Sequence, residues 1–175
     1  MKNMNSTVIS FFITTALLIL LEIITTTIFP ILGLSSIRFS FFPLLVIFLS
    51  FYRNHDTISI LIIAFSFIHS IFSIEAWYLS AFVGIVISVL ISYFRDVIHL
   101  SNRGVTMFLV ALLQMGMSVI KSVVFYLRGN NFEYIFHHLS GQLVELVILT
   151  VLAPYAFEFL LQIWSVKPDS IEEIA

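Results

Sequence analysis

A chain of 175 residues that is 60% hydrophobic and only 10% charged, with mean hydropathy +1.10, carries more apolar surface than a water-soluble domain can hide, since such domains hold roughly 25% charged residues. A formal net charge of −2 gives no basis for a nucleic-acid partner, and the absence of cysteine excludes disulfides, thiolate nucleophiles and Cys-based metal sites. The charges cluster in short gaps between long apolar stretches, the pattern of a polytopic membrane protein whose spans each need about 20 apolar residues.

Cutting at those gaps gives six segments, at about 7–31, 39–52, 57–74, 76–94, 104–127 and 139–164, in one integral membrane domain over 1–175. All are predicted helices, because a single segment in hydrocarbon must satisfy its own backbone groups. The first follows a lone Lys2 with no small-x-small cleavage site, so it reads as an uncleaved span rather than a signal peptide. Pro30 with Gly33 closes it. The second has 14 residues, which as a helix would rise roughly 21 Å against a hydrocarbon core of about 30 Å, so it is either a short span or a re-entrant element. Asn54-His55-Asp56 parts it from the third, and Gly129-Asn130-Asn131 turns the chain after the fifth. With six spans, Lys2, Arg53, Arg95, Arg103 and Lys167 share one side against Arg38 and Arg128 on the other. That excess puts the C-terminus in the cytoplasm.

Inside these apolar runs a few polar residues stand out. Lys121 lies seven residues before Arg128, roughly 10 Å inside the outer end of the fifth helix. Glu145, six residues into the sixth, reaches the same level. Gln114, Ser118 and Lys121 share one helical face, as do His138, Gln142 and Glu145. The expectation is a Lys121–Glu145 ion pair in an intramembrane polar cluster of Glu22, His69, Lys121, Gln142 and Glu145, because charges in lipid usually pair or line a cavity. The alternative is that Lys121 snorkels to the outer headgroups along its four-carbon stem.

On the fourth helix Ala76, Ser80, Gly84, Ser88 and Ser92 recur at every fourth residue. Such a stripe lets another backbone approach closely, from within the same chain or from a separate protein. Arg95, His99 and Arg103 follow at i, i+4, i+8. They either continue the fourth helix along the cytoplasmic surface toward anionic lipid or a partner, or form a solvated linker. FEYIFHH at 132–138 reads as an interfacial belt.

Enzyme chemistry finds no footing. Asp56, Asp96 and Asp169 all lie outside the spans, so no intramembrane aspartyl dyad can form. No histidine pair is spaced i, i+4 for zinc, and neither a Gly-x-Ser-x-Gly elbow nor a phosphate-cradling loop occurs. The expectation is a protein without catalysis, cofactor or metal.

The succession LLILLEIITTTIFPILGL at 17–34, then FPLLVIFLSFY at 42–52, a short polar link and four further spans resembles the rod-shape-determining MreD family over nearly the whole chain. This chain has Leu44 where that family often carries an acidic residue, and FSFIHSIFS at 65–73 where the family's third span is glycine-rich. The resemblance implies a non-enzymatic scaffold of the cell-elongation machinery, working with an MreC-like periplasmic protein, peptidoglycan synthases and the actin-like filament system. It also implies a fold similar to the substrate-binding subunits of energy-coupling-factor vitamin transporters, and with it an alternative function as such a subunit.

Overall fold

The computed structural model describes residues 2–31, 40–52, 55–73, 76–95, 102–129 and 132–164, the side chains of 2–6, 55, 56, 132–138, 140 and 141 excepted. Arg38, Arg53, Glu75, His99, Lys167 and the Gly33 turn therefore lie outside the described residues, as does the side chain of His138. Every element among the described residues is helical.

Six helical rods result. The first, α1 (Lys2–Ile23), continues through a π-helical turn at Ile24–Ile28 into the α-helical stretch Phe29–Ile31. It is followed by α2 (Phe42–Tyr52), α3 (His55–Phe72), α4 (Trp77–Phe94), α5 (Arg103–Leu127) and α6 (Phe132–Ile163). The π-turn has a local cause. The hydroxyls of Thr25 and Thr26 both donate to the carbonyl of Glu22, at 3.1 and 2.6 Å, and such back-bonding competes with the backbone ladder. Pro30, four residues beyond Thr26, withholds the next backbone donor.

The middle of the bundle is α2, the segment whose length made it doubtful. Nine of its residues are buried, namely Phe42 and the unbroken run from Leu44 to Phe51. Leu44, Ile47 and Leu49 have no exposure. A helix apolar on all sides must be surrounded, and α3, α4, α5 and α6 all touch it. Its 11 residues rise about 16 Å, half of the hydrocarbon thickness of about 30 Å.

Contacts at the helix ends fix the directions. Arg103, opening α5, reaches Glu158 near the end of α6, and Arg128, just past the end of α5, reaches Tyr78 at the start of α4. The Ser10 hydroxyl near the start of α1 donates to the Ile163 carbonyl at the end of α6, at 2.8 Å. Trp164 Nε1 then donates to Thr14 Oγ1 at 3.0 Å. Glu22 meets His69 late on α3, and Ser40, just before α2, meets both. The six rods thus alternate in direction along the chain.

Four stretches are long and apolar enough to cross a membrane: Thr7–Ile31, Trp77–Phe94, Arg103–Leu127 and Gln142–Ile163. The apolar helices Phe42–Tyr52 and Thr57–Phe72 are shorter. The outer surface is apolar too, with Phe12, Ile60, Phe108 and Val119 all exposed. A bundle that turns such side chains outward suits a multi-pass membrane protein. The last helix begins at Phe132, seven residues before the expected 139. FEYIFHH is therefore part of α6, which extends past the apolar stretch Gln142–Ile163.

Candidate functional site: a polar knot across four helices

Two acidic side chains and a histidine converge near the end of α1. Glu22 is 4% and His69 5% exposed, and His69 Nδ1 stands 2.8 Å from Glu22 Oε1. With Glu22 as a carboxylate, an acceptor only, the ring proton sits on Nδ1 and donates to it. The Phe42 ring stacks on the imidazole at 5.1 Å between centroids and 3° between planes, which fixes the ring's orientation.

Ser40 closes the knot, and the sequence reading missed it. Its hydroxyl donates to Glu22 Oε1 at 2.6 Å, lies 3.2 Å from His69 Nδ1, and accepts the Phe42 N–H at 3.1 Å. Its backbone N–H donates to Glu145 Oε1 at 3.1 Å. One serine thereby ties α1, α3 and α6 to the start of α2. The signal was present in part, because serine favours a local turn in which its hydroxyl takes the backbone N–H two residues on, and Ser40-Phe41-Phe42-Pro43 stands at the entry to that helix.

Lys121 and Glu145 line one small cavity, of about 30 Å³, with Gln114, Ser118, Gln142 and Pro43. The two polar faces read from spacing, on α5 and α6, thus meet at one place. Glu145 belongs to both the cavity and the knot, so all five cluster residues named from sequence gather in one region. Within that region Glu22 and His69 are in direct contact, a pairing that spacing alone did not indicate. Among the described residues no three His, Asp or Glu side chains are grouped to hold a metal ion.

The small-residue stripe turns inward. Ser80, Gly84 and Ser88 are buried, and Gly84 faces Ile62 of α3 and Val46 of α2. The close approach is therefore made within this chain. Ala76 stands at the N-cap of α4, and the Ser92 hydroxyl donates to the Val89 carbonyl at 2.6 Å.

Arg95 and Arg103 do not sit on one helix, because α4 ends at Phe94 and α5 begins at Arg103. Arg103 Nε and Nη2 donate to Glu158 Oε1 at 3.2 and 2.8 Å, and its guanidinium lies 5.2 Å over the Tyr155 ring. At the opposite end Arg128 donates to the Tyr78 hydroxyl at 2.6 Å and covers its ring at 5.1 Å. Glu158 and Tyr78 carry these contacts, and neither stood out in the sequence.

A second cavity, of about 300 Å³, runs between α1, α2 and α6. Its walls, including Leu18, Leu21, Leu45, Phe159 and Leu160, are almost wholly apolar. The chain matches no family model, no curated protein and no solved structure.

Proposed function

We propose that this chain is a non-catalytic inner-membrane scaffold of the bacterial cell-elongation machinery, crossing the bilayer six times with its C-terminus in the cytoplasm, as its resemblance to the MreD family implies. The observation that carries the reading is how the interior polar groups are used. Glu22, His69, Ser40 and Glu145 are engaged in joining helices to one another. The polar cavity beside them, about 30 Å³, is far below the roughly 300–1,000 Å³ of small-molecule sites. The larger cavity offers almost no polar group to orient a vitamin. A bundle that uses its interior carboxylates and histidine to tie helices together, with an apolar exterior, supports a geometric role, in which helix faces and loops hold an MreC-like periplasmic protein and peptidoglycan synthases in register within the lipid. The alternating direction of all six rods supports six crossings.

The test is purification of the full chain in mild detergent together with an MreC-like partner, followed by mass spectrometry of extracted small molecules. The expected result is a stable complex of the two proteins with no retained ligand. A stoichiometric vitamin on the purified chain, without the partner, would assign it instead to the substrate-binding subunits of energy-coupling-factor transporters.

A further inference from the structure

The cavity between α5 and α6 contains an acceptor with nothing to accept from. Gln114 lines it, is 5% exposed, and its Oε1 receives no hydrogen bond among the described residues. A buried amide oxygen pays the full desolvation penalty unless a donor reaches it, so the site calls for a ligand that donates.

Three constraints narrow that ligand. The volume, about 30 Å³, exceeds the roughly 10–15 Å³ that one water needs and is about a tenth of the smallest usual small-molecule sites. The ammonium of Lys121 on the same wall opposes a second cation. The Glu145 carboxylate and the Gln114 oxygen are acceptors that an anion could not satisfy. A neutral molecule that both donates and accepts meets all three, and the wall offers the two to four polar partners such a molecule requires.

We infer that this cavity is a binding site for water inside the helix bundle, donating to Gln114 Oε1 and held beside Lys121 and Glu145. The water gives the two charged side chains local solvation in an otherwise apolar bundle. Through Glu145 it also extends the hydrogen-bonded chain Glu145–Ser40–Glu22–His69 as far as α5. The result is one polar path from the fifth helix to the first and third.

Met117 is the reporter, since it lines the same cavity yet is 4% exposed, whereas Met115 is 55% exposed. Full-length protein in lipid nanodiscs is irradiated with a short X-ray pulse, which turns bound water into hydroxyl radical in place, and methionine sulfoxide is then quantified. The expected result is fast oxidation of Met117 in the parent protein, most of it lost in Gln114→Leu and retained in Gln114→Glu, with Met115 unchanged throughout. Slow Met117 oxidation in the parent protein, or equal oxidation in Gln114→Leu, overturns the inference. Should Gln114→Leu fail to fold, a high-resolution density map of the parent protein decides. A peak within hydrogen-bond distance of Gln114 Oε1 supports the site, and an empty cavity in a map that shows other buried waters overturns it.

Discussion

Gly84 is the position where one methyl group tests the packing most directly. A Cβ at Gly84 would lie 2.8 Å from Ile62 Cγ2 and 3.5 Å from Val46 Cγ2. Carbon atoms pack at about 3.5–4.0 Å, so Ile62 must retreat by ~0.7 Å or more. It cannot do so easily, because it is 1% exposed and a β-branched side chain in a helix has essentially one rotamer. Overpacking of this kind costs about 1–3 kcal/mol, while replacing glycine by alanine in a helix returns about 0.8–1.0 kcal/mol. Gly84→Ala should therefore lose up to about 2 kcal/mol net. Gly116 supplies the control, since its Cβ would meet Ile87 Cδ1 at an ordinary 3.8 Å, and Gly116→Ala should keep the whole propensity gain of about 1 kcal/mol. The gap between the two variants isolates the overpacking, about 1–3 kcal/mol, whatever the propensity is in lipid. Reversible unfolding by SDS in mixed micelles measures it. Adding Ile62→Leu, which removes the β-branched methyl, should recover much of the loss in the Gly84→Ala background and cost stability alone, giving a clear coupling energy. If Gly84→Ala is as stable as Gly116→Ala, the close approach of α4 to α3 is wrong.

Two further substitutions probe the knot and the turn by the same assay. Glu22→Ala leaves the His69 Nδ1–H and the Ser40 hydroxyl without their buried acceptor and should cost about 1–3 kcal/mol for each donor left unmet. Ser40→Ala should cost about 1–2 kcal/mol, and a loss below half of the smaller figure would remove Ser40 from the network. Gly129, after α5, has φ +83° with no atom within 4 Å of a built Cβ. Gly129→Ala should cost about 1–2 kcal/mol from backbone strain alone, and Gly129→Asn less. Equal stability of the alanine variant would show that the turn adopts another conformation.

Much of this architecture was legible because hydrophobic runs are local. The ends of the fourth and fifth segments coincide with the helix ends, since the polar stretch at Arg95 and the glycine turn at Gly129 each stop a helix by their own chemistry. Depth counting also brought Glu22, His69, Lys121 and Glu145 into one region, because a regular rise converts sequence distance to height. Pairing was harder to read. Height does not give azimuth around a bundle, so the direct Glu22–His69 contact was hidden behind the more conspicuous lysine. Ser40 falls inside the second apolar segment, 39–52, although its side chain and backbone act before the helix begins at Phe42. The π-turn depends on two threonines competing for one carbonyl, and composition does not reveal that. Glu158 looked like an ordinary charge in a terminal helix until α5 was placed beside it.

The shortness of α2 has consequences for biogenesis. An 11-residue segment cannot be held across a bilayer by its own hydrophobicity, and the surfaces that enclose it belong mostly to helices synthesised later. During translation it must wait, shallow or shielded by the insertion machinery, until α4, α5 and α6 arrive to enclose it. Assembly of this protein is therefore settled late, and a polypeptide halted before Trp77 would lack most of the surroundings that keep its central rod in place.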